Sequence, residues 1–250
     1  MIIYAKQQFE FVCQIIHNNL MRLHRFFIEQ GITESGEITI TDNDLIHQWG
    51  KVFRLKEGER VILFDGTGFD YVSEIVLLDK NRGVLKVIEK KLNENIPKKE
   101  IHLFQSIIKK DKFEWGLEKG TELGVSYFHP IISERSEKKN INFERVRKII
   151  KEASEQSGRR SLPSISELAS LEDTLNNDFV SVAFHPTGEK FDKNDFEKDR
   201  ILGIFIGPEG GWSGRELELF KEKEVKILSI GKQILRAETA AIAVSSLFLL

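Results

Sequence analysis

The stretch Ile201–Thr239, ILGIFIGPEGGWSGRELELFKEKEVKILSIGKQILRAET, constrains the fold of this 250-residue chain more than any other. Its apolar run Ile201–Ile206 predicts a buried strand. Gly207-Pro208-Glu209-Gly210-Gly211 follows at once, so a backbone nearly free of side chains lies where that strand ends and lets a ligand come close. Ser213 and Glu216 form an S-x-x-E capping box that starts a helix with Leu217 and Phe220 on one face. A second strand is expected over Val225–Ile230, with Gly231 after it, and Ile234-Leu235-Arg236-Ala237-Glu238-Thr239 opens a last helix. Two strand ends with glycines therefore lie close together in the sequence.

Taken alone, GPEGG means only an αβ turn that needs glycine geometry. The dinucleotide fingerprint G-x-G-x-x-G fails, because Pro208 follows Gly207 and no third glycine stands at the required offset. The phosphate loop fails too, for want of a terminal Gly-Lys-Ser/Thr. The longer string says more. IGPEGGWSGRELELF followed by LSIGKQILRAETAA resembles the cofactor-binding end of the SPOUT methyltransferases. Within them it is similar to the ribosomal RNA small subunit methyltransferase E family, which methylates N3 of a uridine in 16S ribosomal RNA. Upstream, EKGTELGVSYFHPIISERS and EASEQSGRRSLPSI resemble the same family, and the likeness runs from Met21 to Leu250, closer in the second half.

Composition limits the alternatives. With 40% hydrophobic and 30% charged residues the chain has material for a sizeable core and for two domains. A net charge of −2 gives no global basic signal, so any contact with nucleic acid has to rest on local patches. The one cysteine, Cys13, rules out a disulfide framework and cysteine-ligated zinc or iron–sulfur sites, and fits a reducing, cytoplasmic setting. No His, Asp and Glu cluster has metal-ligand spacing. Phe9, Val12, Ile16 and Leu20 have near-helical spacing in an N-terminal extension, residues 1–20, which has no export-signal pattern. Thr239–Leu250 is apolar but too short to span a bilayer, so a buried helix is expected, and its stop without a polar tail fits an interface or a truncated end.

Residues 21–93 read as a small β-rich domain. Strands are expected at Glu37–Ile40, Arg60–Phe64, Tyr71–Leu77 and Val84–Ile88, with turns at Asp65-Gly66-Thr67-Gly68 and Lys80-Asn81-Arg82-Gly83. Thr41 and Asp44 are expected to cap a short helix carrying Leu45, Ile46 and Trp49. The polar stretch Asn93–Lys99 marks the boundary. Residues 99–250 then alternate: strand Ile101–Ile107, helix Asp111–Leu123 ended by Gly124, strand Tyr127–Ile132, helix Phe143–Gln156, and strand Asp178–Phe184 ending at His185-Pro186. Gly116, Gly120 and Gly124 leave one face of the first helix bare for close packing. Alternation of this kind argues for a mainly parallel α/β sheet, with ligands at the carboxyl ends of strands.

The resemblance implies more than the pattern does. It implies a C-terminal SPOUT-type α/β domain tied in a trefoil knot, preceded by a PUA-like β-barrel. Three loops would hold S-adenosylmethionine without a metal: His185 and Pro186; Ile206, Gly207, Pro208, Glu209, Gly210 and Gly211; and Leu228, Ser229, Ile230, Gly231, Ile234 and Leu235. Arg236 is the candidate to steady charge on the uracil oxygens, or else to fix the loops through a salt bridge with Glu238 or Glu209, and Glu209 is the candidate proton acceptor or cofactor contact, or else a structural turn carboxylate. His24, Arg25, Arg54 and Lys56 on the barrel, with Arg135, Arg159 and Arg160 in a segment where nine Lys or Arg face five Glu, are the candidate RNA contacts. The implied partners are 16S ribosomal RNA in the assembled small subunit and a second copy of the chain. A different RNA position, such as a ribose 2′-hydroxyl, and a non-catalytic assembly factor remain compatible with the residues alone.

Overall fold

The computed structural model describes residues 23–33, 36–137 and 140–250. The expected helix on Phe9, Val12, Ile16 and Leu20 lies outside them, as does Cys13. The chain divides into two compact units, Met1–Leu92 and Asn93–Leu250.

The first unit is a five-stranded sheet in the order β1-β3-β4-β5-β2. Its strands are β1 (Arg25–Phe27), β2 (Glu37–Ile40), β3 (Arg60–Phe64), β4 (Phe69–Leu78) and β5 (Gly83–Leu92). The edge strands send Phe26 and Ile38 into one shared core with Trp49, Val61, Leu63, Ile75 and Leu85, so the sheet is rolled. Strand β1 pairs in parallel with β3 and was not foreseen. At three residues it is too short to show any periodicity. The short helix α1 (Asn43–His47) is capped by Asp42, not Thr41: Asp42 Oδ1 accepts from the backbone N–H groups of Asp44 and Leu45 at 2.9 and 3.2 Å. A π-helical turn, Gln48–Phe53, follows it and ends at Arg54 in the left-handed region.

The second unit is a parallel sheet of seven strands, running β12-β10-β11-β6-β7-β8 with β9 also paired to β7. Its strands are β6 (Glu100–Ser106), β7 (Tyr127–Ile132), β8 (Ser164–Ile165), β9 (Ala169–Ser170), β10 (Val180–Lys190), β11 (Ile201–Ile206) and β12 (Lys226–Ser229). The helices are α2 (Lys110–Leu123), α3 (Phe143–Ser157), α4 (Gly214–Glu222) and α5 (Ala237–Leu249). Two separate apolar clusters, one around Leu103, Ile204 and Val244 and one around Phe104, Phe205 and Phe220, alternate along the strands, so both faces of the sheet are covered. The glycine face of α2 packs as its spacing predicts: a Cβ on Gly120 would stand 2.9 Å from the Phe128 ring, and one on Gly116 would stand 3.1 Å from the Gln105 amide. Gly124 closes that helix at φ 113°.

Two elements depart from the sequence reading. Strand β10 does not end at His185-Pro186. It runs on to Lys190, with its register against β12 broken between Phe184 and Glu189. In that break Gly188 lies so close to β12 that an added Cβ would stand 2.6 Å from the Leu228 carbonyl carbon. The last helix begins at Ala237, and Ile234, Leu235 and Arg236 belong to the loop before it. The capping box of α4 forms as expected, with both Ser213 and Glu216 engaged.

Candidate functional site

The register break in β10 and the carboxyl ends of β11 and β12 meet around one cavity of about 290 Å³. Its walls are Phe184, His185 and Pro186 from β10, the turn after β11, and the loop from β12 into α5. Ile206, Leu228, Ile230, Leu235, Ala237 and Ala240 make the lining largely apolar, while the strand ends and glycines leave backbone donors and acceptors along its edge. Of the residues expected to hold a cofactor, His185, Pro186, Ile206, Gly207, Pro208, Glu209, Gly211, Leu228, Ser229, Ile230, Gly231, Ile234 and Leu235 all line this cavity. Gly210 does not. A Cβ on it would meet the Arg135 side chain at 3.3 Å, on the side where the turn is braced.

That brace is what sequence reasoning missed. Arg135, from the turn after β7, donates Nη1 to the carbonyls of Gly210 at 2.8 Å and Trp212 at 3.4 Å. Glu216 holds the same turn from below: its carboxylate accepts from Ser213 N–H at 2.7 Å and from Glu134 N–H at 2.8 Å. Arg135 is therefore anchored to the glycine turn rather than extended toward a partner. Trp212, unremarked in the sequence, lines the cavity and donates its indole N–H to the Phe184 carbonyl at 3.2 Å.

His185 is held by its own strand: Nδ1 lies 2.8 Å from the Thr187 hydroxyl oxygen and 3.3 Å from the Thr187 backbone nitrogen. Burial, with the Arg135 charge, lowers its pKa, so the ring is neutral at neutral pH. Arg236 lines the cavity, is exposed, and makes no ion pair with Glu238 or Glu209 among the described residues. Glu238 faces Lys112 instead, at 3.9 Å. Glu209 lines the cavity mouth, and its carboxylate accepts, at a long 3.5 Å, from the backbone N–H of Lys109 at the start of α2. An anion is favoured at that helix terminus, so Glu209 has a structural use beside any chemical one.

Besides Arg135, two expected RNA contacts are corrected. Arg159 is 7% exposed and spends its guanidinium inside the fold, on the carbonyls of Thr121 at 3.0 Å, Val125 at 2.7 Å and Ser161 at 3.3 Å. Burial lowers its pKa to about 10, which still leaves it charged. The Arg25 side chain is 7% exposed, pairs with Asp70 at 2.6 Å and lies over the Phe64 ring. A guanidinium sunk this way braces its domain and offers nothing to a phosphate. His24, Arg54 and Lys56 are exposed, with the His24 ring 4.3 Å from that of Phe53, and Arg160 is half-buried. Among the described residues no group of His, Cys, Asp and Glu is arranged to hold a metal ion, and no helix is long and apolar enough to cross a membrane.

Comparison with known proteins agrees with this geometry. Residues 94–249 match the RNA methyltransferase domain family and residues 50–88 the RNA methyltransferase PUA domain family. The ribosomal RNA small subunit methyltransferase E of Bacillus subtilis is 32% identical over 87% of this chain and 93% of its own length. The chain belongs to the ribosomal RNA small subunit methyltransferase E family. The Rickettsia conorii member is 31% identical over 89% of this chain and 93% of its own. The crystal structure of the Neisseria gonorrhoeae member, bound to S-adenosyl methionine, superposes with a TM-score of 0.82 at 26% identity, covering 90% of this chain and 96% of that one. The α/β fold with a PUA-like first domain is thus the fold of a methyltransferase family, and the pocket at β10, β11 and β12 is its candidate active site.

Proposed function

We propose that this protein uses S-adenosylmethionine to methylate N3 of one uridine in 16S ribosomal RNA, acting on the small subunit as a homodimer with a knotted catalytic domain. One observation carries the reading: in a chain of this family, the break in β10 and the ends of β11 and β12 form an apolar cavity rimmed by backbone polar groups. The lining suits the cofactor. Adenine is a flat, neutral group that needs an apolar slot and backbone hydrogen bonds, and Ile206, Leu228, Ile230 and Leu235 beside glycines supply both.

The cofactor, when bound, supplies a methyl group made electrophilic by its sulfonium, and as the N–C bond forms and the S–C bond breaks N3 of the uridine gives up its proton, to the Glu209 carboxylate at the cavity mouth or to water. The chain contributes positioning and charge. Arg236, exposed at the cavity edge, places a planar cation where the uracil oxygens gain negative charge. His185 stays neutral and so adds no cation beside a positively charged sulfur. The exposed His24, Arg54 and Lys56, with Arg160, are the RNA contacts that survive the correction of Arg25, Arg135 and Arg159. Labelled S-adenosylmethionine incubated with small subunits from cells lacking the enzyme tests the assignment. Label is expected on N3 of a single uridine, and label on a ribose hydroxyl, or none, refutes it.

A further inference from the structure

We propose that Trp212 is a cofactor-positioning residue, whose indole N–H fixes the distance between the two loops that face each other across the pocket. The inference rests on the reading that this pocket binds S-adenosylmethionine. Trp212 is 2% exposed, and it is one of the residues that line the cavity. Its ring packs edge-on to Phe220, with centroids 5.0 Å apart at 80°, and lies so close to Gly207 that a Cβ there would stand 3.1 Å from it. One face of the indole is therefore held by the core and another by the glycine turn.

The N–H is the informative group. It donates across the sheet to the carbonyl of Phe184, a residue 28 positions earlier in the chain. Phe184 is the last residue of β10 in register with β12 before the break, and His185 and Pro186 follow it into the cavity wall. Phe184 is still paired with Ile206 and Leu228, and the indole adds a side-chain hydrogen bond at this last residue before the ladder to β12 breaks. The β11 turn and the β10 corner are tied together by one side chain, and the cavity lies between them. A shift in that tie changes the width of the slot before it changes the fold, because Arg135 and Glu216 anchor the same turn independently.

Trp212→Phe separates these effects, since it keeps an aromatic ring in the core and removes only the N–H and the outer ring. Loss of one buried hydrogen bond is worth about fivefold to tenfold in an equilibrium constant. The dissociation constant and KM for S-adenosylmethionine are expected to rise by about that factor. kcat at saturating cofactor should stay within about twofold, and KM for the ribosomal subunit should not move. A core residue with no positioning role predicts the reverse, a fall in Tm with cofactor KM unchanged. That result overturns the proposal, as does a variant that binds cofactor like the parent. If the variant fails to fold, the unaltered protein decides. Its indole N–H resonances are assigned with Trp49→Phe and Trp115→Phe, and only the Trp212 signal should shift and exchange more slowly on adding S-adenosylmethionine. A Trp212 resonance indifferent to saturating cofactor sinks the idea. Should the parent protein show no cofactor binding by calorimetry, the proposed function itself fails; should it bind while Trp212→Phe binds equally well, only this inference does.

Discussion

Arginines with the same charge end up in opposite surroundings here, and those surroundings decide what each is free to do. Arg159 and Arg25 are sunk among carbonyls and a carboxylate, whereas Arg236 is exposed on a cavity wall with no ion-pair partner among the described residues. An unpartnered cation beside the reaction costs nothing to redirect toward charge that arises only in the transition state. Arg236→Ala is therefore expected to slow single-turnover methyl transfer about a hundredfold to a thousandfold, on the order of 3 kcal/mol, while cofactor affinity changes far less. Arg236→Lys should restore only part of the rate, because a point charge replaces a planar fork. An unchanged single-turnover rate in Arg236→Ala would refute the assignment. Histidine burial makes a second residue-scale prediction. His129, stacked between His102 and Phe104, has its pKa lowered to about 4 by burial and by the neighbouring His102. The unfolded chain takes up that proton near pH 6.5 while the folded one resists it down to about 4. Stability from this ring is thus complete above pH 6.5 and is lost as pH falls toward 4, with His185 acting in the same direction. Urea midpoints at pH 7.5 and pH 5 should differ in the parent protein and differ less in His129→Phe.

At the scale of elements, what could be read from the sequence follows from how local each signal is. The strand Ile201–Ile206 and the Ser213–Glu216 capping box are written in neighbouring residues, and both form where expected. The continuation of β10 past His185 depends on β12, about forty residues downstream, so no local pattern announces it. Arg159 and Arg25 were misassigned for the same reason: the carbonyls of Thr121 and Val125 and the Asp70 carboxylate that bind them are far along the chain. Trp212 carries a bond to Phe184 that spacing alone cannot reveal. Gly188 shows what such non-local closeness costs to disturb. A Cβ there would lie 2.6 to 2.7 Å from three backbone atoms of Ile227 and Leu228, and backbone paired in a sheet cannot step aside as a side chain tip can. Its φ is ordinary for any residue, so Gly188→Ala acts through space alone. Overpacking of this kind costs about 1–3 kcal/mol. Gly188→Ala should lower Tm and weaken S-adenosylmethionine binding together, whereas Gly214→Ala, where a Cβ meets nothing within 4 Å, should leave both nearly unchanged. Equal melting curves for parent and Gly188→Ala would show that the crossing has slack.

At the scale of the whole molecule, the remaining question is what covers the apolar side chains that the second unit leaves in water. Helices α2 and α5 pack on each other, and each exposes a large apolar residue, Trp115 at 42% and Leu247 at 37%. Helix α5 is apolar nearly all round, AETAAIAVSSLFL, which suits a helix with protein on more than one side. An isologous pairing of two copies through these helices would bury both residues by one symmetry operation, and a stable interface of that kind removes about 1,600 Å² from solvent. Sedimentation at micromolar concentration should then give twice the 28.8 kDa chain mass. Trp115→Asp places a charge at the centre of such a contact and should shift the protein toward monomer with little loss of Tm, since Trp115 contributes little to the core of its own unit. Because the candidate RNA contacts left after correction are few, a monomeric Trp115→Asp is expected to bind small subunits more weakly while still binding S-adenosylmethionine. A parent protein that sediments as a monomer at tens of micromolar would exclude the dimer. A Trp115→Asp variant that stays dimeric would leave the dimer standing and place its interface on another face.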